Sequence, residues 1–315
     1  MKAFPDFQDF EKVYPQRSQV MWTTLVADLE TPVSAMLKLA PREQREKGKH
    51  EQTYSFILES VEGGAIRGRY SFIGLRPDLI WRCFGDKAEI NRDAVAGLDA
   101  FRPCPVAEKS GARASLRSLI DESRIELPDD LPPMAAGLVG YMAYDVVRLA
   151  ENLPTPNPDT LGLADGIFVR PTLIIVFDSI TDTMSVIAPV RPAEGTSAGD
   201  AYAAAETRIA EVAEGLRRPP PVEEIPDIQE MPEPASNMSR DDFRRMILKA
   251  KDYILAGDIF QVVLSQRFAV PFKLPAFSLY RALRRLNPSP FLFFLDFSDF
   301  SVVGSSPEIL VRVRG

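Results

Sequence analysis

The segment from Tyr253 to Gly315 constrains the fold more than any other part of this sequence. It reads as three strand-like runs joined by a short helix and loops: residues 259–268, FLFFLDF at 291–297, and 301–313. In the first run Phe260, Val262, Leu264 and Phe268 alternate with Gln261, Val263, Ser265 and Arg267. In the last, Ile309, Val311 and Val313 face one way, and Leu310, Arg312 and Arg314 the other. An extended strand leaves one apolar side and two rows of backbone groups to satisfy, so it needs neighbours. The expectation is that all three runs join a larger sheet, that the chain halts inside that sheet, and that an apolar face is left uncovered.

The residues before this segment read mainly as antiparallel strands. TTLVADL at 23–29 is a strand candidate, followed by a helix opened by Pro32. YSFILESV (54–61) and GRYSFIGL (68–75) follow a charged loop, and LIWRCFGDKAEIN turns as a hairpin at Gly85 and Asp86. Residues 135–154 begin Gly-rich and turn helical. Residues 166–190 hold two strands around Ser179–Asp182. The Ala/Glu-rich stretch 197–216 is a helix, and 217–237, rich in proline and acid, is a linker that cannot bury enough apolar area to fold alone. After it, Ser239 and Asp242 open a helix carrying Phe243, Met246, Ile247, Ala250 and Ile254 on one face, closed by Gly257. A further helix runs from Pro275 to about Leu286. The division expected is 1–190, a helix plus linker at 191–238, and a second domain from 239 to 315.

Apolar residues make up 45% and charged residues 26%, the balance of an ordinary globular protein. A formal charge of −7, from 37 basic and 44 acidic side chains, argues against nonspecific nucleic-acid or anionic-lipid binding. No apolar run approaches the ~18 residues that span a bilayer. The N-terminal MKAFPDFQDFEKVYP has no signal-peptide pattern, and the expected compartment is the cytoplasm. Cys83 and Cys104 have neither CxxC nor Cys/His spacing and read as reduced thiols. The single histidine, His50, sits in a charged loop, which argues against a mechanism built on a buried imidazole.

From the residues alone the chemistry is sparse. EGGAIRGR fits neither phosphate-binding glycine pattern, and VVGSSPE only superficially resembles a nucleophile elbow. Gln261, Ser265, Gln266 and Glu308 are polar groups on otherwise apolar runs. Glu59 and Ser60 end an apolar strand, a place as natural for a turn as for a pocket.

Five motifs in order carry more: LESVEGGAIRGRYSFIG, GLVGYMAYDVVR, GDIFQVVLSQRF, NPSPFLFFLDF and GSSPEILVRV. Together they closely resemble the anthranilate synthase component I family of chorismate-utilising enzymes. The resemblance implies an α+β body of two face-packed, mostly antiparallel sheets with outer helices, incomplete at the C-terminus. It implies conversion of chorismate and ammonia to anthranilate and pyruvate, with Mg2+, a glutamine amidotransferase partner (component II) in a hetero-oligomer, and feedback inhibition by tryptophan. It places Leu58, Glu59, Ser60, Pro290, Phe291 and Leu292 in a tryptophan pocket, with Leu292 standing for the family's usual methionine. Of the family's active-site residues it gives this chain only Glu308. The metal ligands, the catalytic histidine and the substrate arginine belong to sequence beyond Gly315, so the 315-residue chain alone is expected to be inactive. Aminodeoxychorismate synthase component I, or a non-catalytic tryptophan-binding module, are the alternatives.

Overall fold

The computed structural model describes residues 2–40, 54–62, 66–132, 134–154, 157–221 and 232–313; His50 and most of the proline-rich stretch lie outside them. The chain separates into two compact units. One joins Met1–Pro221 to Ala276–Gly315, and the other is Val222–Pro275. The expected division at residues 190 and 238 follows different lines. The helix of 197–216 belongs to the first unit, and the chain from 276 onward returns to it.

The first unit opens with α1 (Phe7–Val13), β1 (Gln19–Val26) and α2 (Pro32–Leu39). Thr31 and Ser34 cap α2 reciprocally, each side chain accepting from the other's backbone N–H at 3.0 and 2.8 Å. Next come β2 (Ser55–Glu59), the short ribbon β3 (Val61–Glu62) with β4 (Ile66–Arg67), and β5 (Tyr70–Phe84). After β6 (Lys87–Asn91), β7 (Arg102–Pro103), α3 (Pro105–Ser123) and β8 (Val139–Met142), a 3-10 helix spans Tyr144–Leu149. β9 (Gly166–Asp178), β10 (Thr183–Val190) and α4 (Ala198–Leu216) complete the run before the linker.

In the second unit β11 (Ala235–Ser236) precedes α5 (Arg240–Ala256) and β12 (Phe268–Ala269). The first unit resumes with α6 (Ala276–Leu286), β13 (Phe291–Asp296) and β14 (Ser301–Ser306).

Among the described residues ten strands form one antiparallel sheet, whose main path runs β1-β10-β9-β5-β2-β13-β14. β6 pairs with β5 and β7, and β8 pairs with β9. The second sheets are small ribbons, β3-β4 and β11-β12. The α+β class, the antiparallel pairing and the outer helices therefore hold.

One sheet face carries the largest core. Met21, Ile57, Ile73, Ile175, Val186 and Leu292 are buried there with Ile209 of α4 and Tyr280 of α6. Part of the opposite face is covered by α3, whose Leu116 and Leu119 pack with Trp81 and Ile90. The Trp81 indole donates to the buried hydroxyl of Ser115 at 3.0 Å.

Strands expected separately at 68–75 and after 79 are one strand, β5, interrupted by a register shift between Pro77 and Leu79. Proline cannot donate to a ladder, so the pairing slips by one residue and Asp78 bulges out. The stretch 135–154 gains β8, and α1 and α3 are helices that the sequence reading passed over.

Two strand expectations are overturned. The run 301–313 stops pairing at Ser306, because Pro307 has no N–H to continue the ladder. Beyond it Leu310 is 102% and Val313 89% exposed. In the second unit, 259–267 forms no strand; only Phe268–Ala269 pairs, with Ala235–Ser236. Phe260 is 100% exposed there, so no described strand takes up its apolar side. α5 begins at the expected Ser239 cap and ends at Gly257, whose φ of 84° is the left-handed conformation that glycine adopts freely. No residue of α5 is buried, contrary to the expected packed face.

Candidate functional site

The candidate site is built where β2, β13 and β14 lie side by side. The register pairs Glu59 with Leu292, and Leu292 with Ser305, so one residue from each of the LES, PFL and SSPE motifs shares a row across three strands. Segments more than 200 residues apart in sequence thus meet, since Glu59 and Arg284 of the adjoining helix are separated by 225 positions.

Side chains alternate across this row. Glu59 and Leu292 point with Ile57 and Phe294 into the core under α6, while Leu58 and Phe293 pack on the other face. Leu292 is 1% exposed. Pro290, Phe291 and Ser60 are half-buried at the end of the row. The Ser60 carbonyl accepts from the Gly68 amide at 2.7 Å. A Cβ on Gly68 would stand 2.5 Å from the Ser60 Cβ, so glycine is what lets these backbones approach. Gly304 plays the same part opposite Phe293, whose ring lies 2.0 Å from where a Cβ would stand.

The electrostatic centre is Glu59. Its carboxylate accepts from Tyr280 Oη at 2.5 Å, and from Arg284 Nε at 2.9 Å and Nη2 at 2.8 Å. The pair is sheltered, with side-chain exposures of 19% for Arg284 and 5% for Glu59. Burial, reinforced by the Glu59 charge and hydrogen bond, drives the Tyr280 phenol far above its ordinary value and keeps it a donor. Burial alone would lower Arg284, but the hydrogen bond and charge of Glu59 outweigh it and raise the guanidinium. Tyr280 and Arg284 sit one helical turn apart on α6, so a single helix face delivers both donors. Neither was singled out from sequence; their spacing within an amphipathic helix was the available signal.

Serines fasten the turn before β13. Ser289 Oγ donates to the Ser306 carbonyl at 2.9 Å, and Ser305 Oγ to the Asn287 carbonyl at 2.6 Å. NPSP is thereby stitched to SSPE. Glu308, the candidate catalytic residue, lies two positions past β14 and is exposed. Its carbonyl accepts from Ser306 Oγ at 3.1 Å. Among the described residues no group of three or more His, Cys, Asp or Glu side chains is placed to hold a metal ion, so the Mg2+ implied by resemblance has no ligand set among them. The register brings Glu59 against Leu292 and Leu58 against Phe293, with Ser60, Pro290 and Phe291 adjoining them in the chain, and leaves Glu308 exposed two positions beyond the end of β14.

Residues 80–315 match the family model for chorismate binding enzyme. The chain is 48% identical over 310 residues to "Anthranilate synthase component 1" of Cereibacter sphaeroides, which covers 98% of this chain and 59% of that protein. It is 38% identical over 295 residues to the protein of the same name from Pseudomonas putida, at 92% and 56% coverage. Among solved structures it is similar to the crystal structure of anthranilate synthase component I from Streptococcus pneumoniae TIGR4, with a TM-score of 0.64 at 26% identity, covering 92% of this chain and 58% of that one. The chain thus spans less than two thirds of the length of these relatives.

Proposed function

This chain belongs to the chorismate-binding enzyme family, and on that premise we propose that it serves as component 1 of an anthranilate synthase. The reaction is chorismate plus ammonia to anthranilate, pyruvate and water, with Mg2+ as the metal and a component II amidotransferase as the source of ammonia from glutamine. The observation that carries the proposal is the 48% identity spread over 98% of the chain, which leaves no long stretch of different origin. The names of the relatives favour this reading over aminodeoxychorismate synthase.

Within it, the row of Glu59, Leu292 and Ser305 supports a tryptophan site at the end of β2 and β13. An indole needs an apolar wall and a ring to pack on, which Pro290, Phe291 and Leu58 supply. The buried carboxylate of the same strand, Glu59, points to the opposite face from Leu58, into the core under α6. Glu59 is held there by Arg284 and Tyr280, so a ligand packed on Leu58 would reach α6 through strand β2 and not by direct contact with that carboxylate. Glu308, following directly from the adjoining strand, is the proposed catalytic carboxylate.

The test is a chimera: residues 1–315 replace the matching part of the Cereibacter sphaeroides relative, and anthranilate fluorescence is read with chorismate, Mg2+ and ammonia. The expected result is anthranilate formation that tryptophan suppresses, with Glu308→Gln inactive. A soluble, folded chimera that consumes chorismate without releasing anthranilate would refute the reading. Anthranilate formation indifferent to tryptophan would leave the enzyme assignment and remove the tryptophan site.

A further inference from the structure

Away from that site, five arginines and three carboxylates crowd where β5, β9, β10, α3 and α4 come together. Their pairing does not balance. The Asp78 bulge accepts from Arg170 Nε at 2.8 Å and Nη2 at 3.1 Å. Glu122 is gripped by Arg92 at 2.7 and 2.8 Å and touched by Arg170 at 3.3 Å. Arg76 pairs with Glu211. Every carboxylate is thereby committed, and Arg191 and Arg208 are left with no ion pair among those found between described residues. Arg191 has one weak contact, Nη2 to the Ser123 carbonyl at 3.4 Å.

Three polar atoms here are buried without a hydrogen-bond partner: Arg191 Nε, Arg208 Nε and Ser123 Oγ. Such atoms are rare in folded proteins, since each forfeits its hydration, and a group of them points to a missing acceptor. Two guanidinium N–H groups and a hydroxyl, in a patch with surplus positive charge, are donors suited to an oxyanion. We infer that Arg191, Arg208 and Ser123 form a binding site for a small tetrahedral oxyanion of the phosphate class.

The electrostatics agree with this geometry. Burial, with help from the neighbouring charge of Arg170, pushes Arg191 down to about 10, and burial lowers Arg208 as well. Both cations are held at a cost that an anion would relieve. The site is independent of the tryptophan row, since it draws on other strands and on α3 and α4.

Inorganic phosphate is the probe. Thermal unfolding of the 315-residue chain is followed at constant ionic strength as phosphate replaces chloride. About 10 mM phosphate is expected to raise Tm by about 2 °C or more. Arg191→Met and Arg208→Met should each remove most of that rise, while Arg69→Met, whose guanidinium is engaged by Asp178, should keep it. Broadening of the phosphate 31P resonance by wild-type protein gives a second readout that does not depend on the variants folding. A rise with phosphate but not phenyl phosphate identifies the free ion, and a rise with both identifies a phosphomonoester group. A wild type indifferent to phosphate, with a sharp 31P line, overturns the site and leaves buried water as the partner. An equal rise in both methionine variants overturns it too.

Discussion

Two stretches of this chain both read as strands and have opposite outcomes. FLFFLDF becomes β13, flanked on one side by β2 and on the other by β14. FQVVLSQ, at 260–266, is also rich in apolar residues, yet among the described residues no strand pairs with it. Leu292 is 1% exposed, and Val263 is 82% exposed. Propensity does not explain the difference, because 260–266 carries two β-branched valines and FLFFLDF carries none. Partners decide: β13 has two ladders and a helix above it, and 260–266 has none in the described structure. A period of two specifies that a strand can form, and the neighbour decides whether it does.

The largest test of this contrast removes the fastening around Glu59. Arg284→Met leaves a buried carboxylate with only Tyr280 and should cost about 3–5 kcal/mol of unfolding free energy, read by urea denaturation. A loss below 1 kcal/mol would mean that the row does not depend on α6. Next, Leu292→Ala should cost about 2–5 kcal/mol, while Val263→Ala stays within about 0.5 kcal/mol. Similar losses at both positions would erase the distinction between the two stretches.

Hydrogen exchange separates the stretches without mutation. Amides of residues 292–295 should exchange only with global opening of the sheet, and those of 260–266 at nearly unprotected rates. Strong protection at 260–266 would show that the segment has found a partner.

The smallest effect concerns an exposed fastening at the end of β9. The hydrogen bond from Arg69 holds the Asp178 carboxyl below its ordinary value of 3.8. A depressed carboxylate stabilises the fold fully above its unfolded pKa, and the contribution fades as pH falls through the lower folded value. The Tm gap between wild type and Arg69→Met should therefore be small near neutrality and close as pH falls below the ordinary 3.8 and through the lower folded value. A gap that widens on acidification would contradict that sign.

Much of this was legible in the residues. Pro32, Ser239 and Gly257 mark helix ends by local chemistry that needs no tertiary partner, and all three fall where that chemistry puts them. The hairpins at Gly85 and around Ser179–Asp182 are equally local. What could not be read depended on distant chain. The Asp78 carboxylate at the bulge meets Arg170, 92 positions on, and the unpaired run 259–267 answers to neighbours that no local pattern names, whereas Pro307 did mark the end of β14 locally. In the candidate site, resemblance picked out Glu59 and Leu292, but only the β2-β13 register shows that they share a row. Tyr280 and Arg284 came to light only because α6 folds back over that row.

The proposal that the meeting of 58–60 with 290–292 makes a tryptophan site is tested most directly by calorimetric titration of L-tryptophan into the 315-residue chain. The wild type should bind one equivalent. Ser60→Arg, which crowds the half-buried end of the row, should lose that heat, and Ser60→Ala should weaken it several-fold with little change in melting. No binding by a folded wild type, or unchanged binding in Ser60→Arg, would contradict the account.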